Sequence, residues 1–132
     1  GNADLRYANL GGTDLSRANL SRANLGGANL GGSRLHHTNL RNADLRWSVL
    51  TNVDGMSADF RGAGFLESNL SKGSFDSADF SESDLRRTVI IGASLLNVSF
   101  SEANLAMSDL SDSDASGASF NGANTYGTTI PR

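Results

Sequence analysis

The sequence predicts an all-β solenoid, a chain wound into a closed, stacked coil around a dry axis. Three observations carry this. Every fifth residue from Leu5 to Ile130 is Leu, Phe or Ile in 23 of 26 cases. Two residues before each of these centres stands a small one: 13 Ala, 6 Ser, 4 Thr, 2 Val and Gly73. The register runs through all 132 residues without an insertion. A fixed short period of this kind marks a repeat architecture in which each unit buries its apolar residue against its neighbours.

The unit reads Ala-(Asp/Asn)-Leu-x-x, as in Ala3-Asp4-Leu5-Arg6-Tyr7 and Ala23-Asn24-Leu25-Gly26-Gly27. A helix cannot use it: five residues turn a helix by about 500°, so successive centres drift by roughly 140°. A straight strand cannot use it either, because side chains alternate with period two and five is odd. A short extended piece followed by a bend solves both problems. The small residue and the centre then point inward. The residue between them, Asn or Asp in 17 of 26 units, points outward, tolerates the bend and hydrogen-bonds local backbone. The two residues after the centre are free.

Phe60, Phe80, Phe100 and Phe120 recur every 20 residues, and so do Gly11-Gly12 and Gly31-Gly32. Four units per coil would stack those Phe rings along one side. At a strand spacing of about 4.8 Å, the units make about 6.5 coils and a rod about 31 Å long. Three units break the centre rule, at Gly55, Ala115 and Thr125. Gly55, beside outward Met56, predicts a thinner core or a local bulge, partly offset by Val53.

The Ala-(Asp/Asn)-Leu-x-x run over residues 3–130 resembles the pentapeptide repeat family. The resemblance implies a right-handed quadrilateral parallel β-helix with its centres and small residues inside and its other three positions facing solvent. Residues 1–132 then form a single domain.

Zero Cys excludes disulfides and thiol chemistry and is compatible with a cytoplasmic location, the favoured expectation. No apolar run is long enough to span a membrane. Net charge is −3, divided unevenly: residues 1–66 hold 7 Arg and 5 Asp (+2), and residues 67–132 hold 4 basic and 9 acidic residues (−5). No basic stripe calls for nucleic acid. The chain lacks an initiator Met and starts in register, which suggests a piece of a longer protein. Open coil ends are exposed edges, so flanking segments or a second copy are expected to cover at least one of them.

A filled axis with flat walls offers no pocket for catalysis, so no enzyme activity, cofactor or metal is expected. His36 and His37 point outward near Asp14, Arg17, Asp54 and Met56, and read as surface residues rather than ligands. Asn19-Leu20-Ser21, Asn69-Leu70-Ser71 and Asn97-Val98-Ser99 match a glycosylation sequon, but the repeat generates that pattern by itself.

One side is more distinctive. Folded at 20 residues per coil, the side of Leu5, Leu25, Leu45, Phe65, Leu85 and Leu105 gathers Arg6, Tyr7, Arg46, Trp47, Leu66, Arg86, Arg87 and Met107, with Tyr126 at its end and Arg41 at its edge. Aromatics, Met and Arg are enriched in binding interfaces. The expectation is a non-catalytic scaffold for protein partners, which also associates with itself through its coil ends. The family resemblance adds an alternative, a DNA-mimicking protector of a type II topoisomerase such as gyrase. That role implies a strongly acidic wall, whereas Asp79, Glu82, Glu102, Asp109, Asp112 and Asp114 form only a modest patch.

Overall fold

The computed structural model describes residues 2–131. It is a repeat β-helix, and backbone hydrogen bonding sets its coil. Residue n pairs with residue n+20 in single-residue parallel bridges, from Asp4 with Asn24 to Asp109 with Thr129. The bridging residue is always the one before the centre. Its N–H donates to the preceding coil and the centre's N–H to the following one: Asn24 to the Ala3 carbonyl at 2.8 Å, Leu25 to the Asp44 carbonyl at 2.7 Å. Four such bridge columns rise per 20 residues, one on each wall. No helix occurs among the described residues.

The bend follows the extended piece, but the Asn or Asp is not part of it. The residue two after each centre takes a left-handed conformation, with φ between 54° and 74° from Asn2 to Gly127. The small residue's N–H closes the turn onto the centre's carbonyl, as from Ala8 to Leu5 at 3.1 Å. This is the hydrogen bond and the positive φ of a type II turn. The Asn or Asp therefore does not absorb the bend. It caps the turn, its Oδ1 accepting the N–H of the residue just after the centre. Sixteen of the seventeen make this bond, for example Gly31 N–H to Asn29 Oδ1 at 2.9 Å. Asp54 is the exception.

Inside, the centres from Leu25 to Leu110 are fully buried, those from Leu5 to Leu20 and at Ala115 and Phe120 are partly covered, and Thr125 and Ile130 are exposed. The Phe residues form the expected ladder. Ring centroids lie 4.6 Å apart for Phe60 and Phe80, 5.5 Å for Phe80 and Phe100, and 5.1 Å for Phe100 and Phe120, with planes within 20°. Stacking follows from identical positions in successive coils, not from an intrinsic preference for face-to-face rings. Most hydroxyls in the small column find a backbone carbonyl in the dry interior, Ser33 and Ser68 being exceptions whose Oγ has no partner. Ser48 Oγ donates to the Leu45 carbonyl at 2.6 Å, and Thr38 Oγ1 reaches the Leu15 carbonyl of the coil before at 2.9 Å.

Gly55 leaves neither a thin core nor room for a ligand. A Cβ at Gly55 would lie 2.9 Å from Phe75 Cδ1, and one at Gly73 would lie 2.8 Å from Phe75 Cζ. The two glycines clear the space that the Phe75 ring fills, one coil above Gly55 and edge-on to Phe60 and Phe80. Restoring the consensus centre with Gly55→Leu should therefore overpack the axis and cost about 1–3 kcal/mol in denaturant unfolding. Adding Phe75→Leu should recover most of that loss, so the double variant ends nearer wild type than additivity allows.

Candidate interaction surface

Two walls and the corner between them carry the distinctive side chains. The Arg wall has centres Leu5, Leu25, Leu45, Phe65, Leu85 and Leu105. The adjoining wall has centres Leu10, Leu30, Leu50, Leu70, Ile90 and Leu110. Because the turn residue follows the centre by two, Tyr7, Trp47, Glu67, Arg87 and Met107 stand at the corner, each with positive φ. Arg6, Arg46, Leu66 and Arg86 lie on the Arg wall itself, Leu66 half-buried and the three arginines exposed.

Tyr7 and Met107 in the corner column lean toward the following coil. The space beside Gly27 is taken by the Tyr7 ring, whose Cε1 would stand 2.5 Å from a Cβ there, and the space beside Gly127 is taken by Met107 Sδ. Trp47 is half-exposed and carries the Arg46 guanidinium 5.1 Å from its ring centroid.

The arginines are not free charges. Arg6, Arg46 and Arg86 each reach the Asp two residues earlier through Nε and Nη2 at 2.7–2.9 Å. Arg41 Nε meets Asp59 Oδ2 at 2.6 Å. Among the arginines read from the sequence on this side, Arg87 alone has no carboxylate within ion-pair distance among the described residues. The triplet Asp-Leu-Arg, repeated at residues 4–6, 44–46 and 84–86, was the available signal, since residues flanking an inward centre share one face.

Sequence reasoning also missed part of the surface. Val49, Val89 and Ile91 are exposed on the adjoining wall, just past the corner. Seven of the nine exposed large apolar residues (Tyr7, Trp47, Val49, Val89, Ile91, Met107 and Tyr126) thus fall on these two walls and their corner. Val at a bridge position, where Asn or Asp is the rule, was the sign in the sequence. From Asn9 to Ile91 the outward columns of the adjoining wall hold only Asn, Gly, Ser, Thr, Val and Ile, and Asp109 is their single charge.

The histidines diverge. His36 Nε2 lies 2.6 Å from Asp54 Oδ2, which explains why Asp54 does not cap its turn, while His37 is exposed at the next corner. No cluster of three His, Cys, Asp or Glu side chains suited to a metal occurs among the described residues. A depression of about 470 Å³ lies at the last coil, lined by Asp112, Ser113, Asp114, Ala115, Ser116, Phe120, Ile130 and Pro131. It reflects the small Ala115 centre and brings together none of the residues above. Among the described residues no helix is long and apolar enough to cross a membrane.

Comparison with known proteins agrees with this geometry. The family model described as "Pentapeptide repeats (8 copies)" matches residues 1–36, 30–63, 38–76, 74–105 and 93–128. Among solved structures, the chain is similar to Rfr23, a pentapeptide repeat protein of the cyanobacterium Cyanothece 51142, at 21% identity and TM-score 0.54, covering 89% of this chain and 88% of that one. A pentapeptide repeat protein of the Arabidopsis thaliana thylakoid lumen matches at 26% identity and TM-score 0.49, over 80% and 70% of the two chains. HetL of Nostoc sp. strain PCC 7120, involved in heterocyst differentiation regulation, matches at 22% identity and TM-score 0.42, over 98% and 87%. No match is found among curated proteins.

The ion pairs of the Arg wall also set an acid limit. Side-chain hydrogen bonds from Arg6, Arg46 and Arg86 hold Asp4, Asp44 and Asp84 below the ordinary carboxyl value of 3.8. Ser111 and Ser116 do the same for Asp109 and Asp114. A carboxyl depressed in the folded state contributes stability above its unfolded pKa and loses it as pH falls through the folded one. Thermal stability should be level from pH 7 to about 5 and decline below 3.8. Asp44→Asn with Asp84→Asn, which keep the turn caps, should flatten that decline; an unchanged acid limb in melting curves would refute this role.

Proposed function

The chain belongs to the pentapeptide repeat family, and from that premise we propose that it is a non-catalytic scaffold that binds protein partners along the corner formed by Tyr7, Trp47, Arg87 and Met107 and the flanking Arg6, Arg46, Leu66 and Arg86. The rod is taken as right-handed, as the family resemblance implies, with about 6.5 coils from the 20-residue spacing. The observation that carries the reading is the gathering of seven of the nine exposed large apolar residues on one side. Scattered apolar residues are ordinary on a surface; their collection on two walls and one corner is what marks a contact region.

A second point supports the same surface. Tyr7, Trp47 and Met107 occupy the left-handed position of the turn. A residue with a Cβ there costs about 1 kcal/mol or more relative to Gly. Eighteen of the 26 turn positions carry one, but Tyr7, Trp47 and Met107 are the large apolar residues among them and all fall on this corner, which fits a role outside the fold. The Arg–Asp pairs suit such a surface: they keep guanidinium planes available for recognition while leaving little net charge.

The DNA-mimic alternative has less behind it. Asp109, Asp112, Asp114 and Glu102 stand on different walls and corners, and Asp59 and Asp79 lie against Arg41 and Arg61. Duplex mimicry needs a continuous acidic face.

The test compares capture by the tagged chain, by Trp47→Gly/Arg86→Ala, and by His37→Ala at the opposite corner. Trp47→Gly relieves the turn, so the fold should melt no lower than wild type. A protein crosslinked to wild type and to His37→Ala should drop at least about tenfold with the double variant, a loss of about 1.4 kcal/mol. An identical captured set would sink the reading, and inhibition of gyrase supercoiling by the purified chain would favour the alternative.

A further inference from the structure

The adjoining wall asks for a different occupant from the Arg wall. Between Asn9 and Ile91 it is uncharged in both outward columns and built from small or β-branched side chains. Val49, Val89 and Ile91 stand exposed on it, and the other walls carry ion pairs instead. A flat, uncharged β surface with short side chains is what a second sheet packs against, about 10 Å away.

We propose that a second copy of this chain covers this wall, the two rods lying antiparallel about a two-fold axis through the coil of Glu67 and Asn69. This rests on reading the Trp47 corner as an interaction surface, and names what lies against its apolar side. The columns dictate the register. In an isologous contact, residues at equal heights above and below the axis meet in the same column. With the axis at Asn69, Val49 meets the second copy's Val89, and Thr51 meets its Ile91. At the corner, Trp47 meets the second copy's Arg87, which like Arg17 and Arg22 has no carboxylate within ion-pair distance among the described residues. Asp109 meets uncharged Asn29. Val49 and Val89 thus oppose one another, Ile91 opposes a threonine, and an unpaired guanidinium opposes the indole.

The contact is modest. The bridged wall is about 30 Å long, and about 15 Å wide with its corners, so roughly 500 Å² per copy is covered, about 1,000 Å² in total. That is the small end of specific interfaces, and a dissociation constant on the order of 10–100 µM is expected. Glu67 and Lys72 each approach their own counterpart near the axis, so the dimer should tighten, not loosen, as salt rises.

Sedimentation or light scattering from about 5 to about 500 µM reads the equilibrium directly. Wild type should pass from monomer to dimer in that range. Val49→Asn/Val89→Asn installs the repeat's own residue at two bridge positions and so preserves the fold, which circular dichroism would check. It should weaken the dimer by about tenfold or more. The axis gives a sharper test. Asn69→Asp and Asn69→Lys should each be monomeric alone, because each meets its own charge, and should form a mixed dimer when combined. Wild type that stays monomeric throughout, a dimer indifferent to the valines, or no recovery on mixing overturns the proposal. Partner capture that depends on Trp47 in a chain that stays monomeric would overturn the dimer and leave the scaffold reading intact.

Discussion

The structure depends on one hydrogen-bond rule: each centre's N–H donates to the carbonyl of the bridge residue one coil on. Each bridge residue's N–H answers to the coil before. Together these bonds leave no freedom in the rise or in the register. A one-residue slip would exchange every inward side chain for an outward one, so the apolar column and the hydrogen-bond ladder enforce each other. Stability is then built coil on coil.

That rule also explains what the surface can do. Since the coil must close every 20 residues, four sharp turns are required per coil, and each turn places one residue at positive φ on a corner. Corners are where side chains project furthest and are least constrained by neighbours on a wall. Large residues there gain exposure at a backbone cost. The Tyr7, Trp47 and Met107 column and the glycines interleaved with it show both sides of this trade: Tyr7 and Met107 lean over the coil that follows, and Gly27 and Gly127 leave the space that they use.

Much of this was legible in the residues alone. The five-residue period identified the inward columns, the Phe spacing identified the 20-residue pairing, and the fold into columns brought Arg6, Arg46 and Arg86 onto one wall. Two readings needed correction, each for a local reason. The Asn/Asp caps the bend and does not absorb it, because it stands in the extended bridge and the positive φ falls two residues after the centre. Gly55 opens no space, because Phe75 from the next coil enters it. The structure adds that the Arg wall carries little free charge, because Asp before a centre and Arg after it share a face.

The sequence by itself determined which side chains are buried and which outward residues share a column, because a strict period needs no three-dimensional information to sort them. Only the tertiary structure decided which columns adjoin. Val49 and Val89 sit beside the Trp47 corner because the turn between consecutive walls falls two residues after the centre. That angle arises from closing the coil under backbone hydrogen bonding and is written in no single pentapeptide. Ring directions, ion-pair choices and the use of glycine space were likewise settled between coils, where atoms twenty residues apart come within contact of one another.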